Sequence, residues 1–516
     1  MYDVAIVGYG PTGMVLAALL GRMGHHVIVL ERYSGLYNLP RAACFDDEIM
    51  RTFQKLNLED EILKGAVAQD KYDWVNANGD LLVEIAYAAQ APGGWAALYM
   101  MFQPHIETVL DHFVKNLDSV EIRQGVTVNH VEQDEDSVTL GAVNVDGTAL
   151  FVKARYVVGA DGGNGFLSHI VSSHADDYSF QENWLVCDFR LLREVKTLSS
   201  FQQICDPVQP TSIVRIGPDH HRISFMLNEG ETKEEALNPV SVWKRVARHL
   251  TPNDAELIRV VNYVFMSRIA DQWRKKRLMI AGDSAHQMPP FLGQGMCSGI
   301  RDSHNLAWKL DLILKNKSPD SILDSYQPER EPHVRFITEK AIALGQIQTM
   351  RDKEKAKLRD QEFLKLRKEN KTPDKVIFPA LQGGLIADTG SFFPQALVIR
   401  DNLKGLFDLY VKNGWAVISL KGINFGNLDA QAKMVLSALE AQKVTFDESP
   451  ADVHLKDEEK IYQKWFLENN CNAAIIRPDW YVYGTAETVA ELEALIHKLG
   501  QDILLKDKLL TGCVGA

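Results

Sequence analysis

The 516-residue sequence has few cysteines, and none of them forms a closely spaced pair. Its six thiols stand alone without a Cys-x-x-Cys string, which predicts neither a zinc ribbon nor a dithiol redox motif. Six thiols are also too few for a disulfide scaffold, so we expect reduced cysteines in a cytoplasmic protein. The histidine pairs His25-His26 and His220-His221 lack partners at metal-ligand spacing, and we expect no metal site.

A long apolar run and an excess of positive charge are absent as well. No run approaches the roughly 18 residues that cross a bilayer, and the first residues resemble a strand instead of a signal peptide. The 68 acidic residues outnumber the 56 basic ones, and the net charge of −12 opposes nucleic-acid binding by the whole surface. We therefore expect about three domains in a soluble protein that binds neither membrane nor nucleic acid, with a homodimer as the assembly to test.

The chain opens with the pattern of a βαβ unit. An apolar run over residues 4–7 precedes the motif Gly8-x-Gly10-x-x-Gly13, and a second apolar run ends at Glu31. Gly8 permits a tight turn, Gly10 lets a pyrophosphate approach the backbone, and Gly13 lets helix and strand pack closely. The helix start offers N–H groups to phosphates, while Glu31 lies where a carboxylate accepts hydrogen bonds from a ribose. This motif alone predicts a site for either NAD or FAD.

Two later segments bear on the choice between these dinucleotides. Asp161-Gly162 and Gly282-Asp283 each place a carboxylate beside a glycine at the end of an apolar run. Such a carboxylate can accept hydrogen bonds from polyol hydroxyls, and the glycine lets a cofactor come close. Alone, each segment is also compatible with an ordinary strand-to-loop turn. In this order after the first motif, both favour cofactor contacts.

The three motifs resemble those of the single-component flavoprotein aromatic hydroxylases, the family typified by para-hydroxybenzoate hydroxylase. Within that family the chain is most similar to the 3-(3-hydroxyphenyl)propionate hydroxylase branch. The resemblance covers about residues 1 to 335, and the block from 281 to 310 is the most specific part. Further matching strings are Pro40-Arg41-Ala42, Phe45-Asp46-Asp47-Glu48, Gln103-Pro104, Cys205-Asp206-Pro207, Met288-Pro289-Pro290-Phe291 and Gly293-Gln294-Gly295-Met296.

The resemblance implies FAD in the N-terminal site, with NADH or NADPH visiting as co-substrate without a dinucleotide fold of its own. It further implies that reduced flavin and O2 give a C4a-hydroperoxide, which hydroxylates a phenolic substrate at the ortho position. We expect a small aromatic substrate that bears a carboxylate. Two alternatives stay open: a monooxygenase of a larger polycyclic phenol or antibiotic, and a degenerate module that binds FAD without catalysis.

The implied fold is α/β, with a Rossmann-type FAD-binding domain, an inserted mixed β-sheet substrate domain and a C-terminal thioredoxin-like domain. In the substrate sheet, Phe225 and Met226 are expected to suit an aromatic ring. The last domain, without Cys-x-x-Cys, is expected to pack or to contact a second copy. The predicted boundaries are 1–71, 101–180 and 273–345 for the FAD domain, 72–100 and 181–272 for the substrate domain, 346–384 for a charged helical connector, and 385–516 for the last domain.

The resemblance also carries a set of site residues. Arg41 is implied to contact the flavin or the nicotinamide phosphates, and Pro290 to lie beside the reacting flavin carbon. The helix that follows Gly295 should aim N–H groups and its dipole at the flavin ring, where negative charge develops on reduction. The full set of implied cofactor-binding residues is Gly8, Gly10, Pro11, Thr12, Gly13, Glu31, Arg32, Arg41, Gln103, Asp161, Gly282, Asp283, Pro290, Gly293, Gly295 and Met296.

The sequence departs from the family pattern in two places. Many relatives carry a histidine at the position of Cys44, so the usual candidate for the catalytic base is missing. Asp46 is the nearest alternative carboxylate to take the phenol proton, although it could also cap a helix or position the flavin. The family string Asp-Gly-x-x-Ser-x-Val-Arg here has Gly165 in place of serine and Ser168 in place of arginine, which leaves the nicotinamide preference open.

Overall fold

The computed structural model describes residues 1–228, 230–371, 376–411 and 414–504. Strands of the first half are β1 (Tyr2–Val7), β2 (Val27–Glu31), β3 (Cys44–Asp46), β4 (Ala66–Ala68), β5 (Lys71–Val75), β6 (Leu81–Ala86), β7 (Leu98–Met101), β8 (Val120–Gln124), β9 (Val126–Gln133), β10 (Val138–Asn144), β11 (Ala149–Gly159), β12 (Ala175–Asp177), β13 (Glu182–Leu191), β14 (Phe201–Ile204), β15 (Thr211–Arg215), β16 (His220–Met226) and β17 (Ala255–Phe265). Later strands are β18 (Arg268–Ala270), β19 (Arg274–Lys275), β20 (Leu278–Ile280), β21 (His286–Gln287), β22 (Leu397–Arg400), β23 (Leu403–Leu406), β24 (Ala416–Ser419), β25 (Gln442–Thr445), β26 (Val453–His454), β27 (Ala473–Ile476) and β28 (Val482–Ala486).

The helices connect and cover these strands. They are α1 (Pro11–Arg22), α2 (Asp47–Lys55), α3 (Glu59–Leu63), α4 (Gln103–Lys115), α5 (Phe166–Val171), α6 (Lys233–Leu237), α7 (Pro239–Val246), α8 (Gly295–Leu314), α9 (Tyr326–Gln348), α10 (Lys353–Lys368), α11 (Ala430–Ala438), α12 (Ile461–Glu468) and α13 (Val489–Ile503). Within the described ranges, every helix is too short or too polar to span a bilayer.

The first sheet brings three motif-bearing loops to one edge. Its order is β19-β20-β11-β1-β2-β8, with β10 and β9 attached beside β11. The apolar strands β1, β11 and β20 run parallel, with Val7 opposite Gly159 and Gly159 opposite Ile280. Because the carboxyl ends of parallel strands share an edge, the loops that follow these three residues meet there. The separated glycine and aspartate motifs of the sequence therefore lie side by side.

The second sheet, in the order β17-β13-β16-β15-β14-β5-β6, presents one face to helices and the other to a cavity. Along β16, Arg222 and Ser224 line that cavity. Phe225 points the other way, into a buried cluster with Val242 of α7. The expectation that Phe225 holds a substrate ring is therefore wrong, because successive side chains of a strand face opposite sides. Met226 ends the strand and does not line the cavity either.

The other strands and helices agree only in part with the predicted domain boundaries. Those boundaries remain predictions. The strands β5 and β6 join the second sheet, whereas β7 pairs with β3 and β4 in a small sheet of its own. The charged stretch forms α10, and residues 372–375 of the predicted connector lie outside the described residues. The C-terminal unit is built on a sheet of order β26-β25-β24-β27-β28.

Buried charges join the C-terminal unit to the rest of the protein. The guanidinium of Arg477 donates to Glu329 at 2.8 Å and to Asp479 at 2.7 Å, and Lys309 donates to the same Glu329 oxygen at 3.0 Å. The side chains of Arg477, Glu329 and Lys309 are fully buried. Burial lowers the pKa of Lys309 to about 8, opposed by the charge of Glu329. Such a cluster is stable only as a complete set, because any member left alone is an uncompensated buried charge.

We predict that Arg477→Met destabilises the protein by about 3–5 kcal/mol, because Glu329 and Asp479 lose their main partner in a buried environment. Urea unfolding followed by tryptophan fluorescence measures this loss. The matched control is Arg400→Met, which removes an exposed guanidinium 3.5 Å from Asp401. The control should cost less than about 1 kcal/mol. Equal effects of the two changes would contradict the role of the buried cluster.

Candidate active site

A cavity of about 1480 Å³ lies where the edge of the first sheet, the face of the second sheet and the C-terminal unit meet. Gly10 and Asp283 line it from the loops of the first sheet. Arg222 and Tyr263 line it from the second sheet, and Tyr481 lines it from the C-terminal unit. A large concave site between units is the usual place for a ligand.

The three glycines of the first motif are needed for two different reasons. At Gly8, with φ +106°, a Cβ atom would lie 2.2 Å from the carbonyl oxygen of Ala160, and at Gly13 a Cβ would lie 2.1 Å from the carbonyl of Gly8. At Gly10 the nearest atom to an added Cβ is 4.0 Å away, on Arg41. Protein packing thus requires glycine at Gly8 and Gly13, whereas the space beside Gly10 is open to a ligand.

The helix α1 begins directly at this loop. Its N-cap is Gly10, which offers no side-chain cap, and Pro11 is its first residue. The N–H groups of Thr12 and Gly13 precede the first helical hydrogen bond, which Met14 donates to Gly10 at 2.8 Å. Free N–H groups and the positive end of the helix dipole favour a phosphate at this place.

Glu31 is the last residue of β2 and Arg32 follows it, and both lie outside the residues that line the cavity. The carboxylate of Glu31 accepts hydrogen bonds from the backbone N–H of Tyr9 at 2.7 Å and of Tyr33 at 2.9 Å. It is therefore held in place beside the glycine loop, as a ribose-binding carboxylate must be. The guanidinium of Arg32 lies 4.9 Å over the ring of Tyr33.

The two aspartates expected to contact a polyol chain differ in their surroundings. Asp161 accepts hydrogen bonds from the Ser284 hydroxyl and the Leu167 N–H, both at 2.9 Å, and does not line the cavity. Asp283 lines the cavity, and none of the described residues donates a hydrogen bond to it. Burial in the cleft raises the pKa of Asp283. Of the two, Asp283 is thus the carboxylate open to a ligand hydroxyl.

The departures at Gly165 and Ser168 have a structural reason. A Cβ at Gly165 would lie 2.1 Å from the carboxyl carbon of Asp161, so a larger residue there would displace that carboxylate. The Ser168 hydroxyl donates to the carbonyl of Ser284 at 2.7 Å. Together these contacts turn Asp161 inward. A sequence comparison alone identifies the two changed residues but does not show how the Asp161 carboxylate is oriented.

Gly282 has a packing role beside the cavity. With φ +61°, it occupies the left-handed region, and an added Cβ would lie 2.7 Å from the hydroxyl oxygen of Thr12. Its N–H donates to Asp302 at 3.0 Å. Asp302 in turn contacts His286 at 2.6 Å and accepts a hydrogen bond from Arg330 at 2.9 Å. Gly282 therefore joins α1 to α8 and does not itself line the cavity.

The start of α8 faces the cavity as the sequence predicts. Pro290 lines the cavity within a short turn over Pro290–Leu292, and Gly293 follows in the left-handed region with φ +65°. Gln294 is the N-cap of α8 and makes no side-chain cap. The N–H groups of Gly295 and Met296 are thus free of intrahelical acceptors and lie at the positive end of a 20-residue helix. This arrangement can stabilise negative charge in the cavity.

Gln103 positions the loop of Arg41. Its side-chain oxygen accepts the backbone N–H groups of Arg41 at 3.1 Å and Ala42 at 2.5 Å. Its amide donates to Glu107 at 2.6 Å, and Glu107 also accepts from the Arg41 guanidinium at 2.9 Å. Both Arg41 and Gln103 line the cavity.

Three consecutive acids close the cavity on the side of α2. Asp46 caps α2 by accepting the Ile49 N–H at 3.1 Å, and its other oxygen accepts from Arg301 at 2.5 Å. Since both oxygens are engaged, the geometry favours the capping alternative over a role as base. Asp47 accepts one hydrogen bond, 2.6 Å from the Gly93 N–H. Burial and the charge of Asp46 raise the pKa of Asp47 to about 7. The sequence drew attention to Asp46 and missed its neighbour, because burial is not visible in a motif.

A family model described as an FAD binding domain matches residues 1–341 of the chain, and a second one, described as the HcaD C-terminal domain, matches residues 390–502. A protein of Rhodococcus jostii, named as a probable NADH-specific resorcinol 4-hydroxylase, is 53% identical over 96% of this chain and 94% of its own. An Escherichia coli 3-(3-hydroxy-phenyl)propionate/3-hydroxycinnamic acid hydroxylase is 29% identical over 94% of this chain and 92% of its own.

Solved structures show the same fold at lower identity. Aklavinone-11 hydroxylase with FAD and aklavinone superposes with a TM-score of 0.77 at 21% identity, covering 96% of this chain and 98% of that one. The flavin-dependent monooxygenase PieE, in complex with FAD and substrate, gives a TM-score of 0.79 at 18% identity, covering 97% and 98%.

The fold and the cavity define an FAD-dependent monooxygenase with mixed α/β sheets. The chain belongs to the FAD binding domain family of flavoprotein aromatic hydroxylases. The predictions of this family, of FAD as cofactor with a reduced nicotinamide, and of an aromatic hydroxylase are confirmed. The residues present fit FAD: the space at Gly10 is open, Asp283 has no described donor, and two helix starts present N–H groups.

We predict that Gly10→Val weakens FAD binding by at least about tenfold, because the new side chain fills ligand space at a position where an added Cβ comes no closer than 4.0 Å to protein atoms. Titration of the apoprotein with FAD, followed by flavin fluorescence, measures the dissociation constant. Gly35→Val is the matched control, since Gly35 also has no atom within 4 Å but lies outside the cavity lining. If both variants bind FAD like the wild type, the cofactor does not pass Gly10.

We predict that Asp47→Asn changes the pH dependence of stability. The folded-state pKa of Asp47, about 7, lies above the value of about 4 expected in the unfolded chain. Its contribution to stability is therefore full below pH about 4 and is lost as the pH rises through 7. Relative to the wild type, the variant should gain stability as the pH rises from about 4 to about 7, as measured by thermal unfolding. A pH-independent difference would refute the raised pKa.

Proposed function

We propose that the protein hydroxylates a small, neutral phenol of the resorcinol type at the position ortho to a hydroxyl, with NADH and O2 as co-substrates. The pairing of the cavity arginines carries this proposal, because the four arginines of the described lining face four carboxylates and none of them is unpaired. The relative at 53% identity supports it, since that protein is named for NADH and for carbon 4 of resorcinol. Carbon 4 of resorcinol is ortho to one hydroxyl and para to the other.

Each arginine that lines the cavity already has an acidic partner. Arg222 donates to Asp188 at 2.7 Å, and Arg259 lies 3.6 Å from the same carboxylate. Arg301 pairs with two carboxylates and Arg41 with one. Arg222 and Arg259 share one carboxylate, and other donors of both are occupied by the carbonyls of residues 40 and 41. A substrate carboxylate would therefore lose its hydration without meeting an unpaired guanidinium. The acidic side chain expected from the sequence is therefore supported only by the relatives named for hydroxyphenylpropionate.

Several aromatic side chains line one part of the cavity. Tyr72 stacks on Phe201 with ring centroids 3.8 Å apart, and Trp74 and Tyr87 line the same region. A planar phenol can pack against such faces by offset stacking. This region supports an aromatic substrate but does not by itself set its size.

In the proposed reaction, protein residues accept the phenol proton and stabilise the negative charge that develops in the cavity. FAD, when bound, supplies the oxygen-activating chemistry. We propose Asp47 as the group that takes the phenol proton, because its pKa of about 7 lies near the working pH, where general bases act best. The N–H groups of Gly295 and Met296, which also line the cavity, stabilise negative charge there. We also propose that Pro290 lies beside the reacting carbon of the flavin, as the resemblance implies.

We also propose that the C-terminal unit is thioredoxin-like. The order β28-β27-β24-β25, with β27 antiparallel to both neighbours and β24 parallel to β25, supports this class. Of the described residues in this unit, Cys471 is the single cysteine, and it is an unpaired buried thiol. Cys513 lies outside the described residues. The homodimer and the cytoplasmic location stay predictions from the sequence.

The test is stopped-flow reduction of the purified holoenzyme by NADH or NADPH, with resorcinol, phenol or 3-(3-hydroxyphenyl)propionate. We expect resorcinol to accelerate reduction and to give a product that carries one oxygen atom from ¹⁸O2, with NADH preferred. Stronger acceleration by hydroxyphenylpropionate would overturn the neutral substrate and restore the carboxylate. Failure of all three, with turnover of a polycyclic phenol, would favour the larger substrate. A flavin that no nicotinamide reduces would indicate a non-catalytic module.

A further inference from the structure

The C-terminal unit reaches the cavity itself. Ser391, Phe392 and Tyr481 lie among the lining residues, although the sequence predicts for this unit only packing or contact with a second copy. Phe392 and Tyr481 are bridged by backbone pairing, with their ring centroids 5.6 Å apart. One wall of the site is therefore supplied by a part of the chain that lies beyond the family match at residues 1–341.

A chain of hydrogen bonds leads from this wall to the start of α8. The Tyr481 hydroxyl donates to Glu48 at 3.0 Å, and the Arg301 guanidinium donates to the same carboxylate at 2.7 Å. Arg301 also donates to the side-chain oxygen of Gln294 at 2.9 Å. Gln294 is the N-cap of α8, directly before the free N–H groups of Gly295.

Burial makes this series of hydrogen bonds rigid. Tyr481, Arg301 and Gln294 are each at most 6% exposed. Hydrogen bonds to charged groups are stronger where water is excluded, and each bond polarises the next. Burial and the neighbouring Glu48 also raise the pKa of Tyr481, so its hydroxyl stays a donor over the working pH range.

We propose that Tyr481 is a positioning residue for the flavin site, acting through Glu48 and Arg301 on Gln294 and the start of α8. The C-terminal unit thereby helps to position the start of α8, whose N–H groups stabilise charge on the cofactor. Without the hydroxyl, Glu48 loses one of its two donors and draws the Arg301 guanidinium closer. Arg301 remains bonded to Asp46, and its bond to Gln294 is the one that weakens. This inference rests on the proposed function only in identifying the cavity ligand as the reacting flavin.

The matched pair of variants is Tyr481→Phe and Tyr483→Phe. Both tyrosines are buried, and each donates one hydrogen bond to a carboxylate, but the Tyr483 hydroxyl donates to Asp502 at 2.7 Å, away from the cavity lining. The holoenzymes are compared by the visible flavin spectrum, the flavin reduction potential and the fraction of NADH that yields hydroxylated product. These first two readouts need no substrate, so they stay informative if the proposed substrate is wrong.

For Tyr481→Phe we expect a shifted spectrum and potential, and a kcat lowered about tenfold with KM for NADH little changed, as loss of one bond to a charged group implies. Tyr483→Phe should match the wild type in all readouts. Glu48→Gln should reproduce the spectral shift, and the double variant with Tyr481→Phe should be no worse than Glu48→Gln alone. Wild-type spectra and potentials in both Tyr481→Phe and Glu48→Gln would overturn the proposal. If Tyr481→Phe does not fold, Glu48→Gln alone decides it by the same spectra.

Discussion

One buried carboxylate, that of Glu329, connects α9 to three other parts of the chain. One of its oxygens accepts hydrogen bonds from Lys309 and Asn305 of α8 and from Arg477 of the C-terminal unit. Its other oxygen accepts the backbone N–H of Leu385, at the entry to that unit, at 2.8 Å. All of these groups are shielded from water, so the charges stabilise one another only in this arrangement. The third wall of the cavity depends on it, because it fixes the C-terminal unit against α8.

A second contact between the same units lies closer to the cavity. Arg51 of α2, fully buried, donates to both oxygens of Asp408 at 2.7 Å and also lies 4.6 Å over the ring of Trp480. Lys55, one turn further along α2, donates to the carbonyl of Pro478 at 2.8 Å. The helix α2 begins at the acidic stretch that lines the cavity. The contacts of α2 with the C-terminal unit therefore also help to fix the positions of these acids.

Much of the cofactor site could be predicted from the sequence, since its features are local. The glycine motif and the block around Gly293 have fixed spacing, and the backbone conformation that each glycine needs is encoded in a few neighbouring residues. The convergence of the strand ends follows from the parallel order of apolar runs. For these elements, the residues that match the family pattern are also the ones that line or support the cavity.

The remaining features depend on contacts between residues distant in the chain. Whether Phe225 faces the cavity is decided by the register of β16. The neutralisation of Arg222 needs Asp188, 34 residues away on the neighbouring strand. No motif contains such pairs, so the sequence identifies the charged residues but not their partners.

The net charge of the chain, −12, therefore says little about what the cavity accepts. Within the described lining, the cations are arginines held by carboxylates. Asp188 holds both Arg222 and Arg259 from outside the lining. The two carboxylates that hold Arg301 line the cavity themselves. Counted together, the four arginines and their four carboxylates carry no net charge. The free N–H groups at the starts of α1 and α8 are dipoles that act over short range. Such helix starts can hold an anionic cofactor, and the neutral ring that we propose as substrate would be selected by shape and hydrogen bonding.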